Sequence, residues 1–366
     1  MCGFVGFSDQ REAAEKKVIL NKMMNRIVHR GPDMASNYAD ETMGLGFRRL
    51  SIIDLSAAGA QPMYNEDKTV VTVFNGEIYN FMELREQLVA KGHVFTSQTD
   101  TEVLVHGYEE YGEKLVEKLR GMFAFVLWDT KTKTMLAARD PFGIKPFYYT
   151  ALPGGGLLFG SEIKAFLEHP GFEKAVNPNA LRAYLSFQFA AGEDTFFKGV
   201  HSLPQGHYFV WQNGQMRTEC YWDVNFEEDG SLTRAQCVEE IDEAVHESVN
   251  AHRISDVEVG SFLSGGVDSS YITACLKPED SFSVGFAQNK FNETNYAAEL
   301  SEKIGVKNFR QLLTAEECFA AFPDIQYHMD QPQSNPSSVP LWFLAKLARQ
   351  KVTVVLSGEG ADEIFG

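Results

Sequence analysis

The sequence predicts a two-domain protein, in which a layered α+β domain is followed by a doubly wound α/β domain with a parallel sheet. Three observations support this fold class. The chain has 366 residues, more than one hydrophobic core usually serves. Helical stretches and short apolar strands are mixed in the first half, whereas strand and helix alternate regularly towards the end. Turn residues interrupt the helical periodicity between them, so we place the first domain at 1–205, a junction with a hairpin at 206–230, and the second domain at 231–366.

The composition supports folded domains and argues against a nucleic-acid partner. Hydrophobic residues make up 44% of the chain and aromatic residues 12%, which is enough for large cores. The net charge is −17, from 50 acidic and 33 basic residues. A surface this acidic repels phosphate backbones.

The cysteines and the apolar runs indicate the cellular compartment in which the protein is expected to work. The five cysteines are odd in number and widely scattered, so they indicate neither a disulfide framework nor a zinc site. No apolar run approaches the ~18 residues of a membrane span, and no basic segment precedes a long apolar one at the N-terminus. We therefore expect a reduced, cytoplasmic protein with no membrane partner.

The first half reads as strands and helices from its first residues. Met1–Phe7 is strand-like, and the strand Val70–Phe74 runs into Asn75. Further helices are predicted at 81–91, 101–111 and 113–119. The apolar run Gly121–Trp128 predicts a buried strand, and we expect the strands at 134–140 and 157–160 to pair with it.

Cys2 is the first candidate catalytic residue. If Met1 is removed, Cys2 carries a thiol and a free α-amine, whose pKa of about 7.7–8 suits a base near neutral pH. A terminal amine can activate a nucleophile without any histidine. The alternative is that Cys2 is a small apolar residue in an edge strand.

Five motifs follow one another in a characteristic order, and Met-Cys-Gly is the first of them. They are His29-Arg30-Gly31-Pro32-Asp33, Arg49-Leu50-Ser51-Ile52-Ile53, Asn75-Gly76-Glu77-Ile78-Tyr79-Asn80 and Thr99-Asp100-Thr101-Glu102, with Met1-Cys2-Gly3 at their head. Together they resemble the glutaminase domain of the class II, N-terminal-nucleophile glutamine amidotransferases. The resemblance implies a layered αββα fold and hydrolysis of glutamine at Cys2.

The same resemblance implies a role for each polar residue of the glutamine pocket. Asn75 and Gly76 would supply oxyanion donors. Arg49 would pair with the glutamine α-carboxylate, Asp100 and Glu77 with its α-ammonium. The implied glutamine-binding set is Arg49, Ile52, Ile53, Asn75, Gly76, Glu77 and Asp100. Taken singly, Asn75-Gly76 would also fit a hairpin turn, and Arg49 and Asp100 would fit surface charges.

The heptad Ser264–Ser270 is the main motif of the second half. It joins a predicted strand to a predicted helix, with Gly265 and Gly266 in the turn. Glycines, hydroxyls and a helix N-terminus favour an anion, although a Gly-Ser turn is the simpler alternative. The loop has neither the lysine of a GxxxxGK[ST] loop nor the GxGxxG pattern. It resembles the pyrophosphate loop of enzymes that cleave ATP between the α and β phosphates.

An acidic glycine-rich turn, Ser357–Glu363, follows a later predicted strand. Mg²⁺ is typically held by one or two carboxylates together with substrate phosphates, and Asp268 and Asp362 are the two we assign to it. By resemblance, Glu359 would act beside the adenylated intermediate. The implied ATP-binding set is Phe262, Ser264, Gly265, Gly266, Asp268, Ser269, Val284, Ser357 and Gly358.

The two halves together resemble the glutamine-hydrolysing asparagine synthetase family, in its bacterial type. This implies glutamine, aspartate and ATP as substrates, Mg²⁺ as a cofactor, and a homodimer. Members continue past the point where this sequence stops, so we expect the 366-residue chain to keep glutaminase activity and nucleotide binding but to make little asparagine. Two alternatives stay open: an amidotransferase of the same build acting on another carboxylic acid, and a non-catalytic binding or storage protein.

Overall fold

The structure is a computed structural model that describes residues 1–190, 192–227, 230–288 and 292–365. It divides into two compact units. Unit 1 comprises Met1–Asn225 and the short segment Asp330–Gln333, and unit 2 comprises Phe226–Met329 and Ser334–Gly366. Residues 228 and 229 of the predicted junction lie outside the described residues. The functional limits 1–205, 206–230 and 231–366 remain a prediction, since the units rest on contacts alone.

Unit 1 contains twelve strands and four α-helices among its described residues. In chain order they are β1 (Gly3–Ser8), α1 (Ala13–Arg26), β2 (Met34–Ala39), β3 (Met43–Arg49), β4 (Met63–Tyr64), β5 (Val70–Ile78), α2 (Phe81–Ala90), α3 (Glu102–Tyr111), β6 (Gly121–Asp129), β7 (Thr134–Arg139), β8 (Tyr148–Ala151), β9 (Leu157–Gly160), α4 (Pro178–Phe187), β10 (His201–Ser202), β11 (His207–Gln212) and β12 (Gln215–Cys220).

These strands form two antiparallel sheets that face each other. Their orders are β10-β8-β9-β1-β3-β2 and β12-β11-β7-β6-β5-β4. Side chains from both sheets, such as Phe4, Phe159, Val73 and Val126, share one buried core. Helix α1 packs on the outer face of the first sheet through a second core, and α3 packs on β4 and β5 of the second. This arrangement is the αββα sandwich that the sequence predicted.

One predicted strand pairing is wrong. Strand β9 (Leu157–Gly160) was expected beside β6, but it pairs with β1 and β8 in the other sheet. All four of its residues are buried, so no alternation of apolar and polar residues specifies its sheet. The predicted neighbour β7 does pair with β6. The predicted helix at 113–119 is a 3-10 helix over Gly112–Lys118.

Unit 2 is a parallel sheet with helices between its strands. Its elements are α5 (Arg234–His252), β13 (Val259–Phe262), α6 (Val267–Leu276), β14 (Asp280–Phe286), α7 (Thr294–Ile304), β15 (Lys307–Leu313), α8 (Ala315–Met329), α9 (Ser338–Ala348), β16 (Val354–Leu356) and α10 (Ala361–Phe365). Within the described ranges, no helix has the length and apolar composition that crossing a membrane requires.

The strand order of unit 2 fixes where a ligand can bind. The order is β15-β14-β13-β16, and every pairing is parallel. Counted within the unit, this is 3-2-1-4, so the chain reverses direction across the sheet between β13 and β16. Ligands of doubly wound sheets bind at such a switch point, outside the carboxyl ends of the strands. The predicted doubly wound fold is therefore confirmed.

Candidate functional site

Cys2 immediately precedes β1 and is held against the end of β3. Its thiol donates to the carbonyl of Leu50 at 3.4 Å, and the Leu50 N–H donates to Sγ at 3.3 Å. Burial raises the pKa of the Cys2 thiol, and the Leu50 N–H and the positive N-terminus oppose that rise. The thiol therefore depends on a nearby base or cation to become a thiolate.

Asn75 and Gly76 lie inside β5, where they pair with Ala124 and Phe123 of β6. They do not form the hairpin turn that was the alternative interpretation. Asn75 is 1% exposed, and its side-chain Nδ2 has no hydrogen-bond partner among the described residues. A buried donor without a partner costs about 1–3 kcal/mol. A Cβ on Gly76 would lie 2.2 Å from the carbonyl oxygen of Met122, so only glycine fits.

Two buried carboxylates, Glu77 and Asp100, interact beside this strand. Burial, reinforced by the negative charge of Asp100, raises the pKa of Glu77 to about 8. Burial also raises the pKa of Asp100 to about 6, although Asp100 accepts hydrogen bonds from the Ile78 N–H at 2.9 Å and the Thr99 hydroxyl at 3.1 Å. Such a pair is stabilised by any cation that enters between them.

Arg49 lies at the end of β3 and is 4% exposed. Its terminal nitrogens donate to the carbonyls of Ser56 at 2.7 Å, Ile53 at 3.4 Å and Asp54. The half-buried Ile52 and Ile53 form the start of this loop. The guanidinium is thus a fixed buried cation rather than a mobile surface charge, and it lowers the pKa of the Cys2 thiol slightly against the effect of burial.

Two cationic residues near Cys2, Arg30 and Lys145, were given no role in the sequence analysis. Arg30 donates from Nε to the Cys2 carbonyl at 2.8 Å. Lys145 is 3% exposed; burial lowers its pKa to about 8, and the negative charge of Glu77 opposes that. The buried Asp140 places it by accepting the Lys145 N–H at 2.9 Å. The positions of Arg30 and Lys145 in the sequence do not show that they belong to the site. Only the fold brings them close to Cys2 and Glu77.

The heptad Ser264–Ser270 links β13 to α6 as predicted. The Ser264 hydroxyl accepts the Gly266 N–H at 3.2 Å and lies 2.8 Å from the Ser269 hydroxyl. Gly265 has φ of +97°, which a residue with a side chain rarely adopts. No side chain in the described structure caps α6, so its first N–H groups face outward as an anion-binding end does.

A cavity of about 350 Å³ lies at the switch point of unit 2. Phe262 and Val284, the two apolar side chains of the predicted ATP-binding set, line it. Seven of the nine residues predicted to bind ATP reach its wall, and Gly265 and Gly266 do not. The polar residues on its wall are Ser264, Asp268, Ser269, Ser337, Ser357, Glu359, Asp362 and Glu363.

The two predicted loops of this cavity approach each other closely at Gly358. A Cβ there would lie 2.7 Å from the Ser269 backbone nitrogen and 2.8 Å from the Asp268 carbonyl carbon. Sequence reasoning missed one wall, which α9 supplies through Pro340, Leu341 and Leu344. Their apolar helical pattern is indistinguishable from an ordinary core helix.

A larger cavity, of about 800 Å³, lies in unit 1 against Tyr149, Glu173, Lys198 and Trp211. None of the predicted site residues lines it. The volume of a cavity therefore does not indicate where the predicted catalytic and binding residues lie in this chain.

Comparison with known proteins identifies both halves. Residues 1–222 match the glutamine amidotransferase domain family, and residues 240–366 match the asparagine synthase family. The whole chain is 32% identical to a putative glutamine-hydrolysing asparagine synthetase 2 of Methanocaldococcus jannaschii, covering 75% of that protein. This chain belongs to the glutamine-hydrolysing asparagine synthetase family. The resemblance predicted from the sequence is thereby confirmed.

Two further relatives show how much of a longer protein this chain resembles. The chain is 43% identical to glutamine-hydrolysing asparagine synthetase 1 of Bacillus subtilis and 32% identical to the amidase chyE of Penicillium rubens. All of the chain is aligned in each case, but it spans only 58% and 59% of the lengths of those two proteins. Family membership and fold thus rest on the whole chain, whereas the complete reaction belongs to a proposal.

Proposed function

We propose that this protein hydrolyses glutamine at Cys2 and uses the ammonia to amidate an ATP-activated carboxylate, that of aspartate. The single observation that carries the proposal is the Asn75 amide. A buried Nδ2 donor without a partner in the described structure is unfavourable for folding alone, but it is what an oxyanion requires. It adjoins Gly76 and Glu77 on one strand; the positive N-terminus acts on Glu77, and Asp100 acts on both Glu77 and Cys2.

The glutaminase step uses groups of this chain at each stage. With Met1 removed, the Cys2 α-amine accepts the thiol proton, and the thiolate attacks the side-chain amide carbon of glutamine. The Asn75 Nδ2 and the Gly76 N–H donate to the tetrahedral oxyanion. The α-ammonium returns the proton to the leaving nitrogen, so ammonia departs and a thioester remains. Water then hydrolyses the thioester to glutamate and regenerates the thiol.

Charge placement selects free glutamine over a peptide. The fixed cation Arg49 pairs with the α-carboxylate, and the Glu77–Asp100 pair receives the α-ammonium. The raised pKa values of both acids, about 8 and about 6, support this assignment, because they show that burial disfavours the charged carboxylates in a place where a bound cation would stabilise them. A bound ammonium lowers both pKa values.

The second half supplies activation of the carboxylate. The cavity at the switch point takes ATP, with the base between Phe262 and Val284 and the phosphates at the Ser264 loop. The aspartate β-carboxylate attacks the α-phosphate, pyrophosphate leaves, and β-aspartyl-AMP forms. Ammonia displaces AMP to give asparagine, with Glu359 on the wall beside the reacting carbonyl.

Magnesium fits the donors of this cavity. Asp268 and Asp362 both lie on its wall, and one or two carboxylates with phosphate oxygens are the usual Mg²⁺ ligands. When bound, the ion neutralises phosphate charge. The loop that carries Asp362 approaches the Asp268 backbone closely at Gly358, where an added Cβ would lie 2.8 Å from the Asp268 carbonyl carbon.

The experiment is active-site labelling of the 366-residue chain with a glutamine-analogue electrophile, read by intact mass. We expect loss of Met1 and one adduct, located on Cys2 by peptide mapping. The Cys2→Ala chain should take up no label and lose glutaminase activity, by at least about 10³-fold. The matched control Cys237→Ala removes another half-exposed free cysteine and should label normally.

A Cys2→Ala chain that still took up the label would overturn the nucleophile assignment. An unlabelled wild-type chain with no glutaminase activity would instead favour a non-catalytic binding protein. The acceptor is tested separately, by comparing pyrophosphate release from ATP with aspartate and with other carboxylic acids in the full-length protein. If pyrophosphate release is faster with another acid, that acid rather than aspartate is the substrate. The proposal that Cys2 hydrolyses glutamine would not be affected.

A further inference from the structure

A cluster of two histidines and two glutamates lies in unit 1, apart from the residues proposed for glutamine. Glu66 follows β4, His93 follows α2, and His106 and Glu109 are on α3. One donor atom from each of the four lies within 4.8 Å of all the others. Three separate chain segments thus bring metal-binding side chains to one point.

His106 is the observation that points to a ligand. It is 1% exposed, and neither of its ring nitrogens makes a hydrogen bond to any described residue. Its Nδ1 is nevertheless directed at carboxylates, 3.2 Å from Glu66 Oε2 and 3.7 Å from Glu109 Oε2. A buried imidazole whose nitrogens face carboxylates without a hydrogen bond to them leaves those nitrogens available to a ligand.

The nitrogen–oxygen distances in the cluster approach those of a tetrahedral site. His93 Nδ1 lies 3.6 Å from Glu66 Oε1 and 3.7 Å from Glu109 Oε2. Bonds of ~2.0–2.1 Å to Zn²⁺ in a tetrahedron put neighbouring ligand atoms ~3.3–3.4 Å apart. The nitrogen–oxygen contacts lie within a few tenths of an ångström of this value, and the wider separations in the cluster, up to 4.8 Å, would contract when the ion binds.

The outer partners are those that metal-bound side chains usually have. The second nitrogen of each histidine faces a carboxylate: His93 Nε2 lies 3.3 Å from Glu110 Oε1, and His106 Nε2 lies 3.6 Å from Glu102 Oε1. Carboxylates in this position orient a ligating imidazole and fix its tautomer.

The two glutamate ligands are oriented in the same way. Glu109 Oε1 accepts the Asn65 side-chain amide at 2.8 Å, and Glu66 Oε1 accepts the Val94 N–H at 2.9 Å. Each ligating group therefore has an orienting neighbour, which a chance meeting of surface charges does not provide.

We propose that Glu66, His93, His106 and Glu109 bind one zinc ion, or a similar first-row divalent ion, through two imidazoles and two carboxylates. Nitrogen ligands disfavour Mg²⁺ and Ca²⁺, which take oxygen. Four protein ligands leave no open position, so the ion is structural.

The proposed ion would brace the glutamine pocket from outside. It joins α3 to the chain segment after α2, and Glu102 of α3 in turn accepts the Thr96 and Ser97 N–H groups at 2.7 and 2.8 Å. Asp100, proposed to hold the glutamine ammonium, lies in the same loop. The cysteine count gave no sign of this site, because its ligands are dispersed histidines and glutamates.

The test is a titration of the untagged 366-residue chain with Zn²⁺ alone, after chelator treatment and alkylation of its thiols. Calorimetry and elemental analysis should show one ion per chain, and Co²⁺ in its place should give the visible bands of tetrahedral coordination. His93→Gln and Glu109→Gln should abolish stoichiometric binding, and Glu110→Gln should weaken it about 10- to 100-fold.

His201→Gln is the matched control, because among the described residues His201 pairs with one carboxylate, that of Asp194 at 3.2 Å, and this variant should bind Zn²⁺ like the wild type. Glu110→Gln changes a partly exposed side chain outside the ligand set, so it keeps the test valid if a ligand variant fails to fold. Absence of stoichiometric zinc in the wild type, or equal affinity in His93→Gln and His201→Gln, would reduce the cluster to a set of ion pairs and overturn the proposal.

Discussion

The two proposed sites of this chain are built in opposite ways. The glutamine site consists of buried polar side chains, since Asn75, Asp100 and Arg49 are each 4% exposed or less. The nucleotide cavity consists largely of exposed loop backbone and a helix N-terminus, with Ser264 and Ser357 open to solvent. The first therefore holds its charges at a cost in folding stability, whereas the second uses backbone groups that any helix end leaves unpaired.

This difference predicts which kind of substitution disables each site. Losing one polar atom should damage the glutamine site, because its donors are fixed and few. Adding one carbon should damage the nucleotide cavity, because its loops touch through glycine. The comparison is tested by making one substitution of each kind and measuring which of the two sites loses function.

The largest effect is expected from Asn75→Ala. Removing an oxyanion donor should lower kcat for glutamine hydrolysis about 10²- to 10³-fold with a small change in KM, because the donor acts on the transition state. Steady-state glutaminase assays measure both parameters. Asn37→Ala, which removes an exposed side chain bonded to Asn21, is the control. A fall confined to KM would make Asn75 a binding residue and weaken the oxyanion assignment.

A smaller effect is expected from Gly358→Ala. The added Cβ would meet the backbone of Asp268 and Ser269 at 2.7–2.8 Å, and relieving such a contact typically costs about 1–3 kcal/mol. ATP affinity, measured by calorimetry, should fall about tenfold or more, and glutaminase activity should stay unchanged. Gly230→Ala meets nothing within 4 Å and is the control. Unchanged ATP affinity in Gly358→Ala would show that the cavity is not the nucleotide site.

The fold was largely predictable because its signals are local. A capping box opens α5, in which the Thr233 hydroxyl accepts the Gln236 N–H at 3.4 Å. The hairpin predicted in the junction forms around Asn213-Gly214, between β11 and β12. The sheet membership of β9 was not predictable, because its four apolar residues are buried on both faces and their partners are set by distant chain.

The sequence motifs predicted which residues form the sites, but not how deeply those residues are buried or what surrounds them. The sequence indicates Glu77 and Asp100 as anchors, yet their raised pKa values follow from burial in a particular core. Likewise Lys145 becomes a buried cation only because the Asp140 turn directs it inward. The α9 wall of the nucleotide cavity had no sequence signal, since an apolar helix face looks the same against a ligand and against a core.

The smallest effect concerns the pH dependence of glutamine binding and would sharpen the comparison further. The pKa of Glu77 is raised to about 8 and that of Asp100 to about 6, so their charged forms accumulate as pH rises through those values. Since only the charged forms attract the glutamine ammonium, KM for glutamine should fall several-fold between about pH 6 and pH 8.5.

Glu77→Gln should flatten the upper part of this KM profile. The Cys2 amine titrates in the same range but acts on kcat, so the rise of kcat with pH should persist in this variant.

Protein stability gives an independent check of the Glu77 pKa. A raised carboxyl pKa means that the folded chain binds more protons than the unfolded chain between about pH 4.5 and 8, so the free energy of unfolding decreases as pH rises through that window. Glu77→Gln should lessen this decrease, and the exposed control Glu86→Gln should not. A KM profile identical in Glu77→Gln and Glu86→Gln would mean that the buried carboxylate pair does not hold the ammonium, and the contrast between a charge-built and a backbone-built site would then rest on Asn75 alone.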